Sequence, residues 1–393
     1  MKAVQINAVC SAGSTGRICA SISRTLTRAG IENYILYSLG SAPEENAIRY
    51  ATNAETKAAA LQAHLLGNWG FEGSAATKRL LRHLERIRPE VLHLHNLHSH
   101  ACRLDLLFDW VRRRGVRVIW TFHDCWAFTG YCTHYDHVGC TRWRSGCGKC
   151  PQRGEYSWLL DRSGSLLEKK KAALSGLELT VVTPSAWLAD QVRQSFLGAY
   201  PIQIIHNGID LSVFRPSSGD FRARYGLEGK RVLLGVASAW NEKKGLDVLI
   251  EMSRRLDDSY RLVLVGTDGE TDRLLPPSVL SVHRTKDQTE LAGIYSAADL
   301  FLNPTREDSF PTVNLEALAC GTPVLSFRTG GSPESLRPDC GAVVEKDDLK
   351  GFLAQTRRIC ETAPYSRQDC VRRAAEFDRE ARFAEYLNLY KAR

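Results

Sequence analysis

The chain is 393 residues long, with 52 basic and 44 acidic side chains, 44% hydrophobic and 24% charged residues. At about 150 residues per domain this makes room for two or three domains, two being the expectation, each half with a core large enough to need no disulfide staples, and it excludes a disordered chain, a collagen and a coiled coil. No apolar run approaches the roughly 18 residues of a spanning helix. The opening stretch MKAVQINAVC, interrupted by Gln5 and Asn7, reads as a strand and not as a secretory signal. A cytoplasmic chain with mostly reduced thiols is expected, so the twelve cysteines do not read as a secreted disulfide framework.

Strand, loop and helix alternate along the chain. Val4 to Asn7 reads as a strand, and Gly13-Ser-Thr-Gly16 as a tight loop opening a helix from Arg17. Further β-rich runs fall at Tyr34–Tyr37, Val91–His95, Val116–Thr121 and Leu179–Thr183, with helical patterns over 76–88 and 103–114. A second series has strands at Val232–Val236, Arg261–Val265, Leu300–Asn303 and Val324–Phe327, and helices over 244–256, 288–297 and 312–320. Alternation of this kind predicts parallel sheets covered on both faces. The turn-rich stretch Asn207 to Gly219 reads as a linker, and Ser366 to Arg393 is helical in pattern. The expected domains are 1–213, carrying a cysteine-rich loop over 125–151, then 214–375, then a C-terminal helix over 376–393 that packs back on the first domain. The fold class is α/β with two Rossmann-like, doubly wound domains facing across a cleft, where ligands bind at strand C-terminal ends.

Residues 78–117 hold ten basic side chains against four acids, Glu85, Glu90, Asp105 and Asp109. Such a face suits an anionic bilayer or an anionic substrate, and the plainer reading is a solvated pair of helices. Basic residues interleaved with aromatics over most of the surface, as nucleic acid would require, are missing.

In Asn303-Pro-Thr-Arg-Glu-Asp308-Ser309-Phe310-Pro311-Thr312-Val313-Asn-Leu-Glu316, a strand runs through a polar loop into a helix. Unpaired N–H groups at a helix start suit a diphosphate, and a nearby carboxylate can accept hydrogen bonds from sugar hydroxyls. Simple capping by Asp308 or Ser309 is the plainer reading. His123 follows the strand ending at Phe122 and stands beside Asp124, and His93 and His95 share one strand face. Cys132, Cys140, Cys147 and Cys150 are separated by seven, six and two residues. Four thiols at this spacing suit a structural tetrahedral zinc, and buried free thiols or disulfides remain alternatives.

Taken in order, the Gly-rich first loop, His-Leu-His-Asn, Trp-Thr-Phe-His-Asp, Thr-Pro-Ser, His-Asn-Gly-Ile-Asp, Lys-Lys-Gly and Tyr-Ser-Ala-Ala-Asp-Leu-Phe-Leu-Asn-Pro-Thr resemble glycosyltransferase family 4, with its GT-B fold. Thr-Gly-Tyr-Cys and Trp-Arg-Ser-Gly-Cys-Gly-Lys-Cys-Pro are similar to the subset in bacterial exopolysaccharide assembly, including colanic acid enzymes. The resemblance implies retaining transfer of a hexose from a nucleotide diphosphate-sugar to a glycan or undecaprenyl-linked acceptor, without a catalytic metal or nucleic acid, by an enzyme in the cytoplasm or on the inner face of the membrane. It implies that His123 reaches the donor sugar, that Lys244 holds the diphosphate, and that Gly16 lets backbone approach it. The family's paired acids, Glu-x7-Glu, match Asp308 and Glu316, the first shortened by a methylene, about 1.5 Å of reach. They imply sugar contact for Asp308 and ribose contact for Glu316, with the loop amides from Phe310 through Pro311 and Thr312 to Val313 near sugar and phosphates, and Ser309 among the donor-binding residues. The family's second phosphate-binding cation, an Arg, is replaced by Ser238, which leaves Arg284 as a candidate substitute or Lys244 acting with Lys243.

Overall fold

The computed structural model describes residues 1–392. It divides into two units: residues 1–206 with 380–392, and residues 207–379. In the first unit the strands are β1 (Lys2–Val9), β2 (Glu32–Leu39), β3 (Ala47–Arg49), β4 (Val91–Leu94), β5 (Arg117–Thr121), β6 (Leu179–Thr183) and β7 (Ile202–Ile204). They pair in parallel in the order β3-β2-β1-β4-β5-β6-β7. The order reverses direction between β1 and β4, which is the switch point where open parallel sheets receive ligands.

Period-two alternation sends the two sides of each central strand to different cores. Val4, Ile6, Leu92, Leu94, Val118 and Trp120 face one apolar cluster. Ala3, Val91, Ile119 and Val182 face another, closed by Ile18, Ile22 and Leu26 of the helix Gly13–Arg28 and by Phe383, Tyr386, Leu389 and Tyr390. The C-terminal helix Arg379–Lys391 is therefore part of the first unit's packing. It is tied to β5 by Arg117, whose guanidinium donates to the carbonyls of Leu389 and Tyr390 at 2.7 and 2.6 Å.

The second unit holds β8 (Arg231–Val236), β9 (Tyr260–Val265), β10 (Val279–Val282), β11 (Leu300–Asn303), β12 (Val324–Phe327) and β13 (Gly341–Val344), in the parallel order β10-β9-β8-β11-β12-β13. Here the switch lies between β8 and β11. Val232, Leu234, Val263 and Phe301 face helices 288–297, 312–319 and 367–375, while Leu233, Leu262, Leu302 and Leu325 face helices 246–255 and 349–362.

The unit boundaries fall at 206/207 and 379/380, displacing the expected 213/214 and 375/376. Ile209 and Phe214 are buried in the second core, and Ile209 pairs with Asp378. Gly208 makes this pairing possible, since a Cβ there would lie 2.6 Å from Arg379 Cα. The expected terminal helical stretch is two helices, Arg367–Ala375 and Arg379–Lys391. The expected Gly13–Gly16 loop is instead the first turn of a helix, and a 3-10 turn over Glu242–Lys244 precedes the helix expected from 244.

Candidate active site

In the second unit, β8 and β11 deliver their loops to the same end of the sheet. Lys244 closes the 3-10 turn after β8, and its Nζ lies 2.9 Å from Asp308 Oδ2, in the loop after β11. Gly245 makes the approach possible: its φ is +74°, and a Cβ there would lie 2.3 Å from the Pro304 carbonyl oxygen. The two loops are latched further by the Arg306 amide, which donates to Lys243 O at 2.8 Å. The nearly buried Arg306 guanidinium pairs bidentately with Asp247 at 2.7 and 2.8 Å and with Asp347 at 2.6 Å. Sequence reasoning missed Arg306 because its two carboxylate partners lie 59 and 41 residues away.

Asp308 is also held from behind. Gly331 N–H donates to its carbonyl at 3.2 Å, and at Gly330, with φ +51°, a Cβ would overlap that oxygen at 1.7 Å. The Asp308 carboxylate accepts the Phe310 amide at 3.2 Å. This revises the expected row of ligand-facing amides, because the Phe310 N–H is engaged and Pro311 has none. Thr312 and Val313 remain, in the first turn of the helix Thr312–Ala319, whose start has no side-chain cap. Such a start carries exposed N–H groups and the positive end of the helix dipole. Phe310 itself is core, packed on Phe377. The Ser309 hydroxyl is buried and finds no hydrogen-bond partner, a condition natural proteins seldom leave unexplained. Glu316 is buried and accepts from Tyr295 Oη at 2.9 Å. Ser238 is exposed at the end of β8, and Arg284 is exposed after β10, the edge strand two places from β8.

In the first unit, the switch point carries a polar line. Gln5 of β1 donates through Nε2 to Cys19 O at 3.1 Å, and its Oε1 lies 3.1 Å from His95 Nε2. His95 Nδ1 lies 3.1 Å from His123 Nε2. His93 bonds Tyr390 Oη at 2.7 Å and Thr121 Oγ1 at 2.8 Å. Burial drives the His123 imidazole down to about 4 and His93 to about 3, and holds His95 well below its usual range. All three are neutral near pH 7. Next to His123, Asp124 meets His98 Nε2 at 2.9 Å and accepts the Trp126 amide at 2.9 Å. Burial would raise Asp124, but the neighbouring His98 outweighs it and the carboxyl sits at about 2. Gly16 packs against the β1 end, where a Cβ would lie 3.1 Å from Ser11 N and Val9 Cγ2. Its helix, Gly13–Arg28, also begins without a side-chain cap.

Cys132, Cys140, Cys147 and Cys150 line one pocket, and all twelve cysteines are free thiols. Half of the ten basic side chains of the stretch 78–117 are engaged within the chain. Arg79 pairs with Glu55, Arg103 with Asp105, Arg112 with Asp109, Arg114 with Glu85, and Arg117 binds carbonyls. Lys78, Arg82, Arg86, Arg88 and Arg113 are left exposed. Among the described residues no helix is long and apolar enough to cross a membrane.

Family models match residues 15–213 as Glycosyltransferase Family 4 and residues 230–362 as Glycosyl transferases group 1. A protein of Escherichia coli K12 named for colanic acid biosynthesis, the glycosyl transferase WcaC, is 25% identical over 417 residues, covering 100% of both chains. A D-inositol 3-phosphate glycosyltransferase of Mycobacteroides abscessus is 30% identical over 200 residues, 46% of this chain and 41% of that one. Among solved structures, sucrose-phosphate synthase of Thermosynechococcus elongatus aligns with TM-score 0.76 at 18% identity, covering 99% of this chain and 98% of that one. Anabaena HepE in complex with UDP and glucose aligns with TM-score 0.70 at 14% identity over 99% of each chain. Both structures share this chain's architecture, two parallel-sheet α/β domains of GT-B type. The chain belongs to glycosyltransferase family 4 and is a glycosyltransferase of GT-B fold.

Proposed function

We propose that this glycosyltransferase moves a hexosyl group from a nucleoside diphosphate-sugar to a hydroxyl of a glycan or lipid-linked glycan, in the assembly of a bacterial surface polysaccharide, with retention at the anomeric carbon. The observation that carries the reading is the Lys244–Asp308 pair, 2.9 Å apart, beside the uncapped helix start at Thr312. A cation and open amides suit a diphosphate, and a carboxylate suits sugar hydroxyls. The full-length similarity to a protein named for colanic acid biosynthesis, and a structural neighbour solved with UDP-glucose, support the substrate classes.

In this reading the bond from the anomeric carbon to the phosphate oxygen breaks as the acceptor oxygen bonds the same face. The departing phosphate oxygen takes the acceptor proton. Lys244 offsets the negative charge that grows on the diphosphate, which favours the transition state over the bound donor. Asp308 and Glu316 bind donor hydroxyls, with Glu316 oriented by Tyr295. His123 hydrogen-bonds a donor-sugar hydroxyl as a neutral imidazole. We assign peripheral membrane contact to the exposed Lys78, Arg82 and Arg86. Unchanged flotation with anionic vesicles after charge reversal at Arg82 and Arg86 would remove that assignment.

The test is a panel of nucleoside diphosphate-sugars with a lipid-linked glycan acceptor, read by mass spectrometry and anomeric NMR. Acceptor-dependent product with the donor's anomeric configuration is expected. Release of free sugar independent of acceptor would identify a hydrolase instead, and an inverted product would overturn the retaining route.

A further inference from the structure

The four cysteines of the loop after His123 play no part in the chemistry above, and their setting is unusual. Between Thr129 and Ser163 the chain has only two short turns of regular structure, Arg142–Arg144 and Arg153–Tyr156. A stretch that long without its own elements needs another source of order. Its centre is a pocket on which Cys132, Cys140, Cys147 and Cys150 converge, walled by Tyr135 and Trp143. Cys132 hydrogen-bonds Cys150 side chain to side chain and lies within the electrostatic reach of Cys147 and Cys140. No disulfide joins any of them.

Hydrogen-bond donors stand close to the sulfurs. The Gly130 amide donates to Cys147 Sγ at 3.3 Å. Lys170, fully buried, donates to the carbonyls of Trp126, Thr129 and Gly130 at 2.7, 2.9 and 3.3 Å, at the start of the cysteine loop. Arg142 donates to the carbonyls of Gly148 and Lys149, in the turn between Cys147 and Cys150. That turn is wound tightly, with Lys149 at φ +48° flanked by Gly148 at +147°. A neutral thiol sulfur accepts such a bond only weakly, and a thiolate accepts it more strongly. Four thiolates around a divalent cation carry net charge −2, which Lys170 and Arg142 partly offset.

We propose that Cys132, Cys140, Cys147 and Cys150 bind one structural zinc ion that orders the loop following His123. Zinc with four thiolates is a closed tetrahedral site, which leaves no open position for substrate. Among the described residues no three thiol, imidazole or carboxylate groups already stand in ligating positions, so the ion must gather the sulfurs on binding. Binding deprotonates each thiol that still carries a proton, and those protons pass to solvent.

The test uses the full chain, purified without a histidine tag and under reductant. Elemental analysis is expected to give one zinc per chain, retained through dialysis against EDTA and released by a mercurial. Cobalt substitution is expected to give intense sulfur-to-cobalt charge-transfer absorption. Cys147→Ser and Cys150→Ser should cut zinc below a tenth of an equivalent, while Cys360→Ser keeps it. Should the serine variants fail to fold, the unmodified protein decides. A folded chain that holds no zinc as purified and takes up none on reconstitution overturns the site, as does a native disulfide among the four cysteines found by mass spectrometry. None of these readouts depends on sugar transfer, so the site and the proposed reaction stand or fall separately.

Discussion

His95 Nδ1 lies 3.1 Å from His123 Nε2, while the other nitrogen of His95 lies 3.1 Å from Gln5 Oε1. The Gln5 oxygen can only accept, so His95 carries its proton on Nε2. Its bare Nδ1 then accepts from His123 Nε2–H, and the free lone pair of His123 is on Nδ1. A strand residue on β1 thus sets the tautomer of an imidazole at the end of β5.

Gln5→Leu removes that anchor where Gln5 and His95 are both buried. The orphaned His95 N–H should cost about 1–3 kcal/mol of stability. Loss of the tautomer should lower kcat more than it raises KM. Denaturant unfolding and steady-state kinetics check both, and a variant with reduced stability but full turnover would separate Gln5 from His123.

The histidines also set a pH dependence. In the unfolded chain each titrates near 6.5, whereas in the fold His123 sits at about 4 and His93 at about 3. Between those values the unfolded state binds more protons, so stability rises with pH. Their contribution is complete above 6.5 and is lost as pH falls through about 4 and then 3. The thermal midpoint should fall steadily from pH 7 to pH 4. His93→Gln should flatten part of that slope; a slope unchanged in this variant would rule out His93 as a source.

The Lys244–Asp308 pair is half exposed, at 37% and 23% for the two side chains. An ion pair so placed contributes little to folding, about 0–1 kcal/mol. Lys244→Met should leave the melting temperature nearly unchanged. If Lys244 faces the leaving diphosphate, kcat should drop about 100- to 1000-fold, the cost of losing one charge-stabilising donor. Asp308→Asn should weaken donor binding without unfolding the chain. A Lys244→Met enzyme with unchanged turnover would remove that lysine from the mechanism.

The strands legible in the sequence are the buried ones: the expected runs at β4, β5, β6, β11 and β12 match to within one residue. The four unread strands, β3, β7, β10 and β13, are the edges of the two sheets, with at least half of each strand's residues partly exposed. An edge strand lacks the continuous apolar run that marks a central one. The same limit applies to the site. Lys244, Asp308 and Glu316 stood out because motif spacing is local. The links Gln5–His95–His123 and Arg306–Asp247–Asp347 join residues brought together only by the sheet order. One signal was present for the first: polar Gln5 and His93 occupy strand positions where aliphatic residues are the rule, and His95 follows directly after β4.

Gly330 tests whether backbone shape alone sets the position of Asp308. Its φ of +51° costs an L-residue about 1–2 kcal/mol. A Cβ there would also stand 1.7 Å from the Asp308 carbonyl oxygen, closer than any atoms pack, so the loop must move. Gly330→Ala should lower the melting temperature and raise KM for the donor, since the displaced loop carries both the carboxylate and the Thr312 helix start. Gly293→Ala serves as the control, because a Cβ there meets nothing within 4 Å. It lies inside the helix Gln288–Ala297, where alanine is favoured by about 1 kcal/mol, so it should hold or raise stability and leave KM unchanged. Equal effects of the two substitutions on KM would mean that Asp308 is not held by contact with residue 330.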